Sequence, residues 1–516
     1  MKRKHLITMA LFLFCGQGSF AQSSAATERL KKYVSYFNAI DTEAVKNFVP
    51  NALAFDWLKQ NVPLLECPDE VIEKNYYYRW WSFRKHLVKT PEGFIFTEFI
   101  EPVKHAGKYN AISCAAGHHI YEGRWLKNKE YLKEYIDFWL YHADVGQSKP
   151  RFHQFSSWID DAVYQNYLVN PDKEYLKRIL PALDADYGKW EKERQVKSGL
   201  FWQFDVKDGM EESVSGSRKE ENRRPTISSY MYGNAKALAA IAAITGDQPL
   251  VEKYRAKAVQ LKKLVQDSLW DSGSSFFKTR TPKGQLVNAR EAIGFVPWDF
   301  DLPADEPQYA KAWDQLLDTA GFKAPWGLTT AERREPTFRT RGSGHSCEWD
   351  GALWPFASSQ TLKGLANLLT NYKNHSKMKP AVFYKELRQY ALSHQKNGKP
   401  YLGEYQDEKN GEWLKGDNPR SSFYNHSTFC DLVINDLIGI KPRADEALGF
   451  YPLIPEGKWD WFSLENISYH RRTLNIRWDK TGKKYNKGKG LYVYANGKEI
   501  YHSTSLKPAV IQINNK

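Results

Sequence analysis

Asn170-Pro171-Asp172-Lys173-Glu174-Tyr175-Leu176 is the stretch that decides the fold. A polar cap, an acidic first turn and apolar residues at helical spacing mark the start of a helix. A close echo, Lys127-Asn128-Lys129-Glu130-Tyr131-Leu132, stands upstream. A looser copy, Gly246-Asp247-Gln248-Pro249 leading to Glu252-Lys253-Tyr254, stands downstream. Each copy lies where one helical pattern ends and the next begins. Recurrence of this kind predicts helical hairpins laid down one after another.

Working outward, periodicity predicts further helices. The first lies within Ala25 to Gln60, on Leu30, Tyr33, Val34 and Phe37. Others cover Lys129 to His142, Phe155 to Leu168, Lys173 to Glu193, Ser228 to Thr245 and Val251 to Leu269. Asp350 to Leu369 and Ala381 to His394 form a further pair, and Phe429 to Ile440 closes the series. Long polar or Gly- and Pro-marked segments separate them at 201–224, 273–308 and 396–422. Residues 61–125 read as an irregular, aromatic-rich part, with the run Tyr76 to Trp81 and a Gly117-His118-His119 turn. Long loops in a compact domain are usually functional.

After Pro442 the period changes to two. Trp461 to Ile467, Leu474 to Trp478 and Leu491 to Ala495 alternate as strands, and Asn496-Gly497 is a hairpin turn pair. Helices first and strands afterwards imply separate modules. The expected fold is mainly α: about ten to twelve paired helices over 25–442 that close into a toroid of inner and outer helices. A small C-terminal antiparallel β-sandwich over 443–516 follows it. Loops gathered at one end of such a toroid would line a funnel.

Residues 1–21 have the form of a secretory signal. Lys2, Arg3 and Lys4 precede an apolar Leu6 to Phe14, and Ser19-Phe20-Ala21 forms a small-x-small site before Gln22. The expectation is export to the periplasm or extracellular space. Cys15 is the alternative, a lipoprotein anchor, against which Phe14 stands where a small residue is expected. No other stretch is apolar enough to span a membrane. The net charge is +14, but the cations are spread along the chain as polar helix faces, so a nucleic-acid partner is not expected. Cys67, Cys114, Cys347 and Cys430 show no metal-ligand spacing and read as free thiols. No metal and no cofactor are expected, and the oligomeric state is open.

Two acidic turns carry the chemistry. One is Asp208-Gly209-Met210-Glu211-Glu212-Ser213, the other Tyr401-Leu402-Gly403-Glu404-Tyr405-Gln406. Aromatic residues are plentiful around them: 18 Trp, 30 Tyr and 27 Phe, 15% of the chain, enough to wall a sugar pocket. Cleaving a glycosidic bond needs a protonated acid for the leaving oxygen and a second carboxylate. Apolar walls raise the acid's pKa, and Phe201-Trp202-Gln203-Phe204 with Met210 puts such cover beside Glu211.

These motifs, in this order, resemble the six-hairpin (α/α)6 glycosidases, the clan of trehalases and of glycoside hydrolase family 63, including its mannosylglycerate-hydrolase-like branch. There the acid is an Asp in a Gly-x-Asp turn, and Gly209-Met210-Glu211 matches it with Glu in place of Asp. The family's base is a Glu in a Glu-Tyr turn followed by a Gly-rich loop and a closing helix. Glu404-Tyr405, Gly411, Gly416 and the segment from Phe429 match that order. Cys347-Glu348-Trp349-Asp350-Gly351-Ala352-Leu353-Trp354-Pro355 resembles the helix start that lines the family's sugar pocket. Tyr451-Pro452-Leu453-Ile454-Pro455 and the strands after it resemble the appended sandwich. The likeness covers roughly 70–516. It implies an inverting, exo-acting hydrolase with Glu211 as acid and Glu404 as base. The longer acid moves its proton by about 1.5 Å, which leaves neighbouring Glu212 as the alternative acid. Inversion implies carboxyls roughly 6.5–9.5 Å apart.

Candidate substrate-binding residues are Trp80, Trp81, Trp158, Asp161, Arg224, Trp298, Trp349, Asp350, Trp354 and Tyr405. The indoles are stacking platforms for pyranose faces, and Arg224 is a clamp for a substrate carboxylate. Asp160 or Asp161 would contact a sugar hydroxyl, or simply favour a helix start. Other readings keep the same scaffold. A polysaccharide lyase would use Tyr230, Arg224 and His345, and a phosphorylase would replace the base with phosphate. A non-catalytic carbohydrate-binding protein would keep only the aromatic pocket.

Overall fold

The computed structural model describes residues 24–147, 152–340 and 347–513. The leader with Cys15, and His345, lie outside the described residues. The chain is helix-rich, with antiparallel sheet at its C-terminal end. Its longer helices are α1 Ala25–Ile40, α2 Ala54–Asn61, α3 Glu70–Lys85, α4 Ala116–Gly123, α5 Glu130–Asp137 and α6 Ile159–Val169. They continue as α7 Lys173–Arg194, α8 Pro225–Thr245, α9 Gln248–Leu269, α10 Pro355–Asn371 and α11 Pro380–Ser393.

The quoted phrases do start helices. Asp172 caps α7 by accepting from the Tyr175 amide at 3.0 Å, and Asp247 caps α9 by accepting from Leu250 at 3.1 Å. Such caps satisfy amides that the first turn leaves unpaired, each worth about 1 kcal/mol. Gly246, at φ 91°, ends α8 in the left-handed conformation. Neighbouring helices pack in sequence: α7 on α8, α8 on α9, and α10 on α11. α8 is buried along most of its length, whereas α9 buries only Val251, Tyr254, Ala258, Leu261, Val265 and Leu269, a single stripe.

Two expectations fail within 61–125. The aromatic run Tyr76 to Trp81 lies inside α3, where every residue from Asn75 to Lys85 is buried. Gly117-His118-His119 is the first turn of α4, not a loop turn. Gly117 is there for close approach, since a Cβ on it would stand 2.2 Å from the Trp158 ring. The last helical segment is also shorter than Phe429 to Ile440, being a buried π-helical stretch, Leu432–Leu437.

Opposite ends of the helical region are tied together by buried charge. Arg79 of α3 donates to Tyr390 and to the Ser427 carbonyl and meets His394. The Glu122 carboxylate of α4 accepts from the amides of Phe429, Cys430 and Asp431 at 2.9–3.2 Å. Arg124 pairs with Asp431 at 2.7 Å.

Besides three two-stranded ribbons, the described strands form two larger antiparallel sheets. The larger joins Trp461–Tyr469, Arg472–Asp479, Gly490–Ala495 and Lys498–Ser503, and its first edge is Leu64–Glu66 from the N-terminal part. The smaller joins Ala509–Gln512, Ala447–Phe450 and Ile440–Pro442. The sheet region therefore recruits residues on the helical side of 443. Asn496 and Gly497, at φ 49° and 83°, make the expected turn between paired Ala495 and Lys498. Among the described residues no helix is long and apolar enough to cross a membrane.

Gly117→Ala should destabilise the protein by about 1–3 kcal/mol through overpacking against Trp158. Urea denaturation would measure it; an unchanged midpoint would mean that α4 and Trp158 are not in contact.

Candidate active site

Loops that lead into the buried helices α4, α8 and α10, together with the 396–429 segment, meet at one place. The acid loop follows a short helical turn, Asp205–Asp208, and Gly209 at φ 71° reverses the chain. Arg224, just before α8, holds it from below: its Nε donates to Asp208 Oδ2 at 2.7 Å and its Nη1 to Ser213 at 3.1 Å. Thr226 also donates to Asp208. Arg224 is wholly buried and already paired, so it is not free to clamp a substrate carboxylate. Its role is to hold the loop that carries Glu211.

The Glu211 carbonyl accepts from the Trp349 amide at 3.3 Å, joining the acid loop to the segment before α10. Two residues before Trp349, the Cys347 thiol donates to Glu404 Oε1 at 3.6 Å. Glu404 is also met by Arg420 at 3.5 Å, Ser421 at 3.4 Å and Lys415 at 3.9 Å, and it is buried. Burial pushes the Glu211 carboxyl up to about 7, and the charge of Glu404 adds to the rise. The same two charges, with burial foremost, push the Cys347 thiol up. The two carboxylates thus share one electrostatic environment, with the Cys347 thiol bonded to Glu404. Glu212, by contrast, sits at φ 65° and points to Arg218 and Arg339 at 3.2 and 3.7 Å, with its side chain 36% exposed. It is held as an outer ion-pair residue.

Beside these loops lies a buried stack of three rings. Trp349 lies on Trp354 with centroids 4.6 Å apart, and Trp354 on Tyr405 at 4.7 Å. The Tyr405 hydroxyl is bonded to Glu348, and Trp354 Nε1 donates to the Glu348 carbonyl at 3.1 Å. Asp350, pushed up to about 6 by burial against the opposing pull of Arg339, pairs with that guanidinium at 2.9 Å. A bridge between Leu353 and Gln406 fixes the register of this stack with the base loop.

The other candidates lie elsewhere. Trp80 is in the core, edge-on to Tyr76 and Phe83. Trp81 is buried beside Phe37 and Phe423, under the Lys85 ammonium. Trp298 packs on Phe277 and Trp313 with no exposed surface. Trp158 is buried between His118 and Tyr230. Asp161 accepts from Tyr121 and faces a separate cavity of about 380 Å³ with Arg124, Lys236, Asp299 and Lys441. These four indoles and Asp161 were expected on a sugar; burial in the packing assigns the indoles to the core, and Asp161 belongs to a different cavity.

One group escaped the sequence reading. Glu98 is buried, bonded to Tyr424, and accepts from the Cys114 thiol at 3.8 Å. Burial, with the charges of Glu404 and Glu211, pushes its carboxyl up to about 8. Phe96-Thr97-Glu98-Phe99 flanks a carboxylate with aromatic residues much as Tyr401 and Tyr405 flank Glu404. That was the available signal. Among the described residues no cluster of three His, Cys, Asp or Glu could hold a metal ion.

A raised acid beside a cation-flanked carboxylate, next to an aromatic stack, is the equipment of a glycoside hydrolase. The chain belongs to the mannosylglycerate hydrolase MGH1-like glycoside hydrolase family, whose domain model matches residues 108–427. The C-terminal domain model of glycosyl hydrolase family 65 matches residues 441–502. A solved structure called a sialidase superposes with a TM-score of 0.91 at 47% identity, over 94% of this chain and 44% of that one. The glycoside hydrolase family 63 mannosylglycerate hydrolase of Thermus thermophilus, in complex with glucose, gives a TM-score of 0.52 at 14% identity, over 69% of this chain and 98% of that one. The family 78 rhamnosidase of Bacillus sp. GL1 gives 0.55 at 12%, over 81% and 40%. The last two likenesses are of fold. An uncharacterised protein of Borreliella burgdorferi is 22% identical over 205 residues, 40% of this chain and 41% of that protein. This chain therefore spans less than half the length of both the Borreliella protein and the one called a sialidase.

Arg224→Met should cost about 3–5 kcal/mol, because it leaves Asp208 buried and unpaired. Denaturant unfolding checks this. Unchanged stability with a raised KM would instead restore the substrate clamp.

Proposed function

We propose that this chain is an exported, exo-acting glycoside hydrolase that works with inversion, Glu211 as general acid and Glu404 as general base. Its helices over 25–442 pair as an (α/α)6 ring, and 443–516 is an appended β-sandwich. The observation that carries this reading is the asymmetry of the two carboxyls. Glu211 is pushed up to about 7 by burial, so it holds a proton near neutrality. Glu404 is instead flanked by the Lys415 ammonium at 3.9 Å and the Arg420 guanidinium at 3.5 Å.

In the reaction, Glu211 gives its proton to the glycosidic oxygen as the bond to the anomeric carbon breaks. Water attacks that carbon from the opposite face, and Glu404 takes the water's proton. The buried Trp349–Trp354–Tyr405 stack supplies apolar cover beside the two carboxylates. The family 63 neighbour that was solved with glucose supports a sugar ligand for this scaffold. The leader-like residues 1–21 support export, with anchoring through Cys15 as the lesser alternative.

A screen of aryl glycosides and disaccharides should find a cleaved substrate. On it, Glu404→Gln and Glu211→Gln should each lower kcat about 10²–10⁴-fold while sugar binding persists. Tight binding without any product from the unmodified protein would favour a carbohydrate-binding role. The first-formed anomer, read by proton NMR, should be opposite to that of the substrate; a retained anomer would remove Glu404 as base. Activity should fall as pH rises through about 7, because the acid must be protonated and burial raises its pKa to that range.

A further inference from the structure

Glu98 lies on the segment after the Gly93–Phe96 strand, and its surroundings touch both acidic loops. On one side the Cys114 thiol donates to Glu98 Oε2 at 3.8 Å. Cys114 in turn lies under the acid loop: a Cβ on Gly209 would stand 3.5 Å from the Cys114 Cβ. On the other side the Glu98 carboxyl is bonded to the Tyr424 hydroxyl. Tyr424 follows Phe423, whose amide donates to the Leu402 carbonyl at 2.8 Å, two residues before Glu404. The Glu98 carbonyl also accepts from the Asn425 amide at 3.0 Å. Phe99, Ile112, Cys114 and Tyr424 form a small apolar cluster of their own around this junction.

We propose that Glu98 is a positioning residue for both catalytic carboxylates, its carboxyl bracing the acid loop through Cys114 and the base loop through Tyr424. The proposal rests on the glycosidase reading for its effect on catalysis, but the bracing stands on the geometry alone. The groups that face Glu98 are Cys114, Tyr424, Glu404 and Glu211, and the cations Lys415 and Arg420 lie on Glu404, not on Glu98. Burial among these neighbours keeps Glu98 uncharged through neutrality. An uncharged carboxyl adds a hydrogen-bonding bridge without a third negative charge, which would repel both partners. Glutamine can imitate that state, having the same length and an uncharged head; alanine cannot.

The test uses Glu98→Ala and Glu98→Gln in the full chain, with near-ultraviolet circular dichroism to confirm native packing. On the substrate found by the screen, Glu98→Ala should lower kcat/KM at least tenfold, and Glu98→Gln should recover most of the loss. Glu98→Ala within twofold of the unmodified enzyme, or Glu98→Gln as impaired as Glu98→Ala, would overturn the proposal. A second arm needs no substrate. In protein labelled with ¹³C at the Glu carboxyl carbons, the resonance missing from Glu98→Gln should titrate at about 8. In Glu211→Gln and Glu404→Gln that midpoint should move down, because each change removes a negative charge opposing ionisation. A Glu98 midpoint in the ordinary carboxylate range, unmoved by either change, would also overturn it. If the unmodified protein cleaves nothing, the hydrolase reading falls, while the NMR arm still decides whether Glu98 is coupled to the pair.

Discussion

Everything at the site depends on Glu122 meeting the start of the last helical segment. Its carboxylate takes three successive amides, those of Phe429, Cys430 and Asp431. These are the free donors that any helix start leaves unpaired, and a buried anion is a strong partner for them. Arg79 lies 4.0 Å from Glu122 and reaches the Ser427 carbonyl, and Arg124 takes Asp431 on the far side. The segment 423–428, which carries Tyr424 and follows the Glu404 loop, is thereby fixed against α3 and α4. Removing one partner would leave a buried charge without compensation, which is costly. Residues more than 300 positions apart along the chain are held together in this way.

The acid loop is fixed by a second buried pair, Arg224 with Asp208. The anchoring fits the proposed use of a glutamate, Glu211, as the acid. The side chain is longer by one methylene than the aspartate of the resembling families, but its loop is anchored on both sides: by Arg224 below and by the Trp349 amide at the Glu211 carbonyl. Burial raises Glu211, whereas Lys415 and Arg420 stand beside Glu404. Two chemically identical groups are thus given different surroundings by the fold: burial for Glu211, flanking cations for Glu404.

Much of the fold was legible. α7, α9, α10 and α11 begin within a few residues of the expected starts or inside the expected spans, because caps, prolines and apolar stripes are local signals. The strands after 460 and the Asn496-Gly497 turn followed for the same reason. α3 and α4 were missed because α4 is buried throughout and α3 from Asn75 onward, so neither shows a polar stripe to set a period. Gly117 looked like a turn residue, whereas its missing side chain serves contact with Trp158.

Taken alone, the sequence determined most of the helices after 126 and the strands after 460, and where the acidic turns lie. These depend on residues near each other in the chain. It did not determine which aromatics lie beside the two carboxylates: Trp349, Trp354 and Tyr405 stack next to the loops of Glu211 and Glu404, while Trp80, Trp81 and Trp298 pack elsewhere. Nor did it show that Arg224 is already paired, or that Glu98 joins Glu211 and Glu404. Burial, ion pairing and protonation are properties of what the fold brings within a few ångströms, and only the packed structure decides that.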